Sequence, residues 1–393
     1  MSVLTGLDVC IRDGFSRFRG KSIGLVCHQA SISRECKHIL DYLVPLHDSG
    51  ASKIAAAFGP QHGIWGHTQD NMIEWEGYTD PRTGLPFYSL YGENRKPTAA
   101  MLDGVEELVF DVQDVGARYY TFIWTLAHCM EACAELGIPV TILDRPNPIG
   151  GKIVEGPGHD MAFKSFVGLY SLPVRHGMTV GEIGLYLREH WIPGCDVNVV
   201  QMEGWDRGMM FSDTGLQWGL PSPNMPTQET ALVYPGQCLV EGTKLSEGRG
   251  TTMPFQLFGA PFIDSWELCE AVNGLSLPGV WLRPVHFEPT FQKHKGVICG
   301  GGFIHVIDQD AFESVLTTMA ILGQVRRLYG EKFEWLEPPY EYEFELWPID
   351  ILAGGTGVRE MVDRVASVVE MRDWMRGDSQ SINALTKDYC QYL

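Results

Sequence analysis

In the segment Lys53-Ile54-Ala55-Ala56-Ala57-Phe58-Gly59-Pro60-Gln61-His62-Gly63-Ile64-Trp65-Gly66, a short apolar run, Lys53–Phe58, is cut off by Gly-Pro. A run of that length bounded by turn residues reads as a buried strand. The next three residues, Gln-His-Gly, deliver polar side chains at a carboxyl edge, where open α/β sheets bind ligands. An acid at position 61 would be a candidate proton donor. Glutamine cannot play that part, because its amide donates and accepts hydrogen bonds without ionising near neutrality.

Outward from this segment, the first half of the chain alternates apolar runs with amphipathic stretches, the signature of βα units and a mainly parallel sheet. The runs predict strands at Ser22–Cys27, Lys53–Phe58, Glu107–Val112, Pro139–Leu143 and Asp196–Met202. Helices are predicted at Glu35–Leu43, Tyr119–Leu136 and Val180–Trp191, the last with a capping box formed by Thr179 and Glu182. Residues Gly77–Asn94 read as a long irregular excursion. A Pro-dense stretch, Leu220-Pro221-Ser222-Pro223-Asn224-Met225-Pro226, suggests a boundary near its end, giving domains 1–232 and 233–393. Beyond it, strands at Gln237–Gly242 and Gly302–Ile307 and helices at Ser265–Val272, Ala311–Tyr329 and Gly357–Met375 do not alternate regularly. The fold class expected is α/β with a mainly parallel sheet, followed by a smaller α+β C-terminal domain.

A formal net charge of −19 over 393 residues argues against nucleic acid or an anionic membrane as partner. None of the ten cysteines falls in a Cys-x-x-Cys pair. Cys10, Cys27, Cys129, Cys133, Cys238 and Cys299 read as small packing residues. No leader segment or bilayer-length apolar run is visible, so a cytoplasmic protein with reduced thiols is the expectation.

Gly20-Lys21-Ser22 fails as a phosphate-binding loop, since Phe15 stands where the earlier glycine is needed. No Gly-x-Gly-x-x-Gly follows the first strand, which argues against a nicotinamide dehydrogenase, and no zinc-ligand spacing occurs among the histidines. The remaining candidates are polar clusters at strand ends: Gln61 and His62; Gln113, Asp114, Arg118 and Tyr119; Asp144, Arg145 and Asn147; Arg175 and His176. Each has a structural alternative. Asp114 with Arg118, or Asp144 with Arg145, would form an ion pair; His62 would hold a turn and His176 would be a satisfied buried histidine. In the second half, Glu241, Glu247 and Arg249 lie among glycines that permit close approach of a hydroxyl-rich ligand. Glycosidases commonly use two carboxyl groups, and Glu241, Glu247 and Asp114 are the candidates once Gln61 is set aside.

These segments resemble the NamZ/YbbC-type exo-β-N-acetylmuramidases, peptidoglycan-recycling glycoside hydrolases. The resemblance runs over nearly all of the chain and is carried by Phe58–Gly66, Thr79–Gly92, Val109–Thr121, Leu143–Gly156, Arg175–Glu182, Pro221–Pro235, Glu241–Ala260 and Tyr340–Leu352. It implies an N-terminal Rossmann-like domain, a smaller C-terminal domain and an active-site cleft between them. It further implies release of N-acetylmuramic acid from non-reducing ends of a glycan or muropeptide-like substrate, without metal or organic cofactor. The resemblance carries no expectation about oligomeric state. In the family, the block at 58–66 usually reads Pro-Glu-His-Gly, then a basic residue and Gly; this chain has Gln61 and Trp65. The first-strand motif also departs, with Cys27-His28-Gln29 where Thr-Asn-Gln is common. From the resemblance and the residue pattern together, the candidate catalytic residues are Gln61, His62, Asp114, Glu241 and Glu247. Substrate binding falls to His28, Gln29, Trp65, Gln113, Arg118, Tyr119, Asp144, Arg145, Asn147, Arg175, His176, Asn224 and Arg249. Two functions are compatible with this pattern: a glycosidase with a modified catalytic apparatus, or a glycan-binding protein of the same fold that has lost hydrolysis.

Overall fold

The computed structural model describes residues 2–70 and 73–393. Seven strands form the larger sheet: β1 (Ser22–Cys27), β2 (Lys53–Gly59), β3 (Tyr78–Thr79), β4 (Pro86–Ser89), β5 (Glu107–Asp111), β6 (Val140–Leu143) and β7 (Val197–Val200). Their order is β3-β4-β2-β1-β5-β6-β7, and every pairing is parallel except β3 with β4. The short β3 and β4 come from the excursion at Gly77–Asn94, whose aromatic residues pair at the sheet edge. Central β1 is flanked on both sides, Val26 lying level with Phe58 and with Phe110. That placement explains its uninterrupted apolar run.

The helices of this half are α1 (Gly6–Arg12), α2 (Ile39–Asp48), α3 (Phe122–Leu136) and α4 (Val180–His190). Thr179 and Glu182 form the expected capping box on α4. Helix α2 starts later than predicted because Ile32 bridges to His38 around Cys36, whose φ is 60°. Helix α3 also starts late, since Ala117 pairs with Arg175 and draws the preceding residues out of helical geometry.

Three further strands, β8 (Leu257–Ala260), β9 (Val280–Phe287) and β10 (Cys299–Val306), form a small antiparallel sheet in the order β8-β10-β9. Gly301 is needed at its centre, because a Cβ there would collide with the Phe258 carbonyl. Around it lie α5 (Gln228–Gln237), α6 (Ser265–Asn273), α7 (Ser314–Tyr329), α8 (Pro348–Ala353), α9 (Gly357–Asp363) and α10 (Val368–Lys387). Two expectations are corrected by this half. Gln237–Gly242 is not a strand: Cys238–Gly242 is a 3-10 helix continuing α5, so its apolar residues face a core, not a ladder. Gly357–Met375 is not one helix either. Helix α9 ends at Asp363, Val365 has φ 52°, and Ser367 caps a new helix with Glu370.

Residues 232 and 233 fall inside α5, so the chain passes between the two halves within a helix. The tail also returns to the first sheet, where Tyr392 Oη donates to Asp144 at 2.6 Å and Gln391 N to Glu182 at 2.7 Å. Among the described residues, no helix is long and apolar enough to cross a membrane.

Glu155 belongs to the seam between the halves, its Oε1 accepting from Leu316 N at 2.8 Å while Oε2 has no partner among the described residues. Burial pushes its carboxyl up to about 7 from the ordinary 4.5, outweighing that hydrogen bond and the Arg175 charge. Because the folded value is the higher one, Glu155 contributes most below pH 4.5, and the contribution is lost as pH rises through 7. Glu155→Gln is therefore expected to exceed the wild type in stability at pH 8 by about 1–3 kcal/mol. At pH 4 the two should unfold alike, as read from urea midpoints.

Candidate active site

Strand β2 ends at Gly59, and the chain turns through His62 (φ 72°) and Gly63 (φ 83°). Gln61 and His62 thereby enter a cavity between the carboxyl edge of the large sheet and the C-terminal half. The Thr121 hydroxyl donates to Gln61 Oε1 at 2.8 Å, so the residue ahead of α3 orients the amide. His62 Nδ1 lies 2.8 Å from the Thr68 carbonyl. It must carry the proton to make that bond, which leaves Nε2 as an acceptor. Burial pushes the His62 pKa down to about 4, so the ring is neutral at pH 7. Asn224 fastens the same loop, donating to the Gln69 carbonyl at 2.8 Å.

The cavity measures about 40 Å³ and is walled by Tyr119, Tyr120, Tyr234, Phe255 and Tyr340. Tyr234 stands edge-on to Tyr119, Tyr120 and Phe255, at centroid separations of 5.8, 5.6 and 4.8 Å. Aromatic walls with a few convergent polar groups suit the apolar face and the hydroxyls of a sugar. The Tyr120 hydroxyl is buried in this wall beside Ser222.

Glu241, presented by the 3-10 helix, accepts from Arg249 at 2.7 Å and from the Tyr340 hydroxyl at 2.7 Å. Burial pushes its carboxyl up, but the Arg249 charge and these hydrogen bonds outweigh burial and hold it below the ordinary value. Glu247 receives Lys293 at 3.0 Å and lies 3.4 Å from Arg249 Nε. Two carboxylates and two cations thus neutralise one another (Lys293 also caps the Val240 and Glu241 carbonyls, each at 3.2 Å). An acid held ionised by a cation, as Glu241 is by Arg249, is a poor proton donor.

Glu341 is the exception. It lines the same cavity as Gln61 and His62, is 5% exposed, and accepts a hydrogen bond from the Tyr91 hydroxyl at 3.3 Å. Burial, together with the nearby Glu241 charge, pushes its carboxyl up to about 7. A carboxyl half protonated near neutrality can both give and take a proton. Residue pattern alone passed over Glu341, as it did Tyr120, Thr121, Tyr234 and Tyr340. The available cue was Tyr340-Glu341-Tyr342, an acid between tyrosines inside one of the family-like blocks.

Of the residues singled out from sequence, the fold brings Gln61, His62, Tyr119, Asn224, Glu241 and Arg249 to the cavity, with Glu247 behind Arg249. The others hold the scaffold. His28 is fully buried, its Nε2 accepting from Gln113 N at 2.8 Å and its Nδ1 lying 3.2 Å from the Pro221 carbonyl, which Gln29 also contacts. Gln113 donates to the Asp114 and Pro146 carbonyls. Asp114 caps Gly116 N and faces His176 at 3.4 Å, and Arg118 is not its partner. Arg145 pairs with Asp111 at 2.6 and 2.9 Å, while Asp144 anchors Thr179, Gly181 and Tyr392. Asn147 bonds Ile149 N and the Met178 carbonyl, and Arg175 donates to the Ile149 and Phe312 carbonyls. Trp65 lies on the surface, 38% exposed, beneath Arg82 and beside His38.

Comparison with known proteins shows the family. The family model described as exo-beta-N-acetylmuramidase NamZ, N-terminal, matches residues 23–229, and its C-terminal counterpart matches 232–392. The chain is 44% identical over 390 residues to the peptidoglycan beta-N-acetylmuramidase NamZ of Bacillus subtilis (strain 168), covering 99% of this chain and 91% of that protein. Two solved DUF1343 family proteins of Bacteroides fragilis NCTC 9343 share the fold over all of this chain and 99% of their own. Their TM-scores are 0.88 and 0.77, at 32% and 28% identity. With both halves matched and a relative this similar along its length, the chain belongs to the NamZ exo-β-N-acetylmuramidase family of glycoside hydrolases.

Proposed function

We propose that this protein is an exo-acting hydrolase that releases terminal N-acetylmuramic acid, or a closely related N-acylated amino sugar, from peptidoglycan-derived fragments. Glu341 is the proton donor on this reading, and Gln61 stands where the family resemblance leads one to expect the catalytic glutamate. The observation that carries the assignment is the contrast among the acids: Glu241 and Glu247 are committed to Arg249 and Lys293, whereas Glu341 lines the cavity with its carboxyl near 7.

The chemistry needs one such carboxyl. Glu341 protonates the glycosidic oxygen as its bond to the anomeric carbon breaks. The acetamido carbonyl oxygen of the same sugar attacks that carbon and closes an oxazolinium ring. Water opens the ring and gives its proton to the Glu341 carboxylate, restoring the acid. Gln61 Oε1, already oriented by Thr121, has a second lone pair to align the acetamido N–H. No second carboxylate is required at the anomeric carbon.

Glu341→Gln should lower kcat for release of N-acetylmuramic acid from a disaccharide carrying it at the non-reducing end, whose sugar leaving group needs the proton, by about 10²–10⁴. Wild-type kcat/KM should fall as pH rises through about 7, where the acid loses its proton. Unchanged turnover in a folded Glu341→Gln protein would remove Glu341 from this role.

Gln61→Glu should raise kcat by roughly tenfold, because a carboxylate is the stronger acceptor for the acetamido N–H. It should also move the basic limb upward, since it adds a negative charge beside Glu341. If the wild type were inert and this substitution alone created activity that Glu341→Gln did not abolish, the acid would belong at position 61. The natural chain would then be a glycan-binding protein.

A further inference from the structure

Arg95 packs over rings that adjoin the cavity lining, and its environment differs from that of Arg249 and Lys293. Its guanidinium carbon stands 3.9 Å from the Tyr342 ring centroid, 4.5 Å from Phe166 and 5.8 Å from Tyr91. All three rings adjoin residues that line the cavity. Tyr91 donates to Glu341, Tyr342 follows Glu341 in the chain, and Phe166 precedes Val167, which lines the wall.

Arg95 forms no ion pair among the described residues, although its charge acts on Glu341 through space, whereas Arg249 and Lys293 are both paired. A guanidinium stacked on aromatic rings is restricted in orientation, and it carries more N–H donors than the Tyr342 hydroxyl beside it can accept. A guanidinium edge matches a carboxylate fork for fork. The surrounding protein carries a net charge of −19, so an anionic ligand needs a local cation of this kind.

We propose that Arg95, on its cradle of Tyr91, Phe166 and Tyr342, is a carboxylate-recognising subsite that receives the 3-O-lactyl carboxylate of a terminal N-acetylmuramic acid. This rests on the reading of the substrate as a muramic acid derivative. It adds the reason why that sugar is chosen over N-acetylglucosamine, which lacks the carboxylate. Arg95 is a specificity residue here, and proton transfer stays with Glu341.

The test is a calorimetric cycle that needs no turnover. N-acetylmuramic acid and its lactyl methyl ester are titrated into wild type, Arg95→Gln and Arg95→Lys. Wild type should prefer the free acid by roughly tenfold to a hundredfold, the range for a charge-assisted bidentate contact. Arg95→Gln should bind acid and ester alike, and Arg95→Lys should keep part of the preference, since it retains charge but not the planar fork. A preference for the acid that survives in Arg95→Gln overturns the subsite, as does a wild type that binds acid and ester equally or binds neither. Arg95-dependent binding in a protein that fails to hydrolyse the disaccharide would uphold the subsite and overturn the hydrolase reading alone.

Discussion

Arg118 is fully buried and spends its guanidinium on backbone alone. Nη1 reaches the Pro157, Gly158 and Leu172 carbonyls at 3.2, 3.0 and 2.8 Å, and Nη2 reaches Leu352 at 2.8 Å. A charge in a dry interior is costly unless dipoles surround it, and here the dipoles come from both halves of the chain. Burial pulls its pKa down only to about 10, so the cation persists at neutral pH. Any separation of the halves would strand it. The segment it anchors also carries Tyr119, Tyr120 and Thr121 into the cavity, and Thr121 then orients Gln61. The polar geometry of the site thus descends from one buried ion and the carbonyls that solvate it.

The same seam sorts the acids. Where a cation is at hand, as for Glu241 beside Arg249, the carboxyl is held below its ordinary value and serves the architecture. Where burial acts with only a hydroxyl or an amide in contact, as for Glu341 and Glu155, the proton is retained toward neutrality. Glu155 lies in the seam at Leu316, whereas Glu341 lines the cavity. One physical rule, desolvation set against local charge, thereby separates the acid paired with a cation from those held by hydroxyls or amides.

Much of the architecture was legible from residue pattern. Apolar runs ended by turn residues gave away the parallel strands, and Thr179 with Glu182 announced α4 before any contact was known. Less was legible where local pattern is ambiguous. Cys238-Leu239-Val240 is apolar enough for a strand, but it continues from α5 against α7 and α8 as a 3-10 helix. Gly357–Met375 has helical composition throughout, yet the Val365 turn divides it. Arg118, Asp144, Arg145 and Arg175 look like ligand-binding residues in sequence because buried structural charges and site charges use the same residue types.

The family blocks, the strand-end position of Gln61 and its inability to ionise were settled by residue identity alone. They follow from local turn chemistry and from side-chain structure, which no packing can alter. Tertiary structure decided which acids are free. The proton affinity of a carboxyl depends on solvent exclusion and on charges brought from distant parts of the chain. Arg249 and Lys293 reach Glu241 and Glu247 across as many as 52 residues, while Glu341 meets Tyr91 across 250. Only folding brings those groups together, so Glu341 could not be told from any other acid until the chain had closed around it.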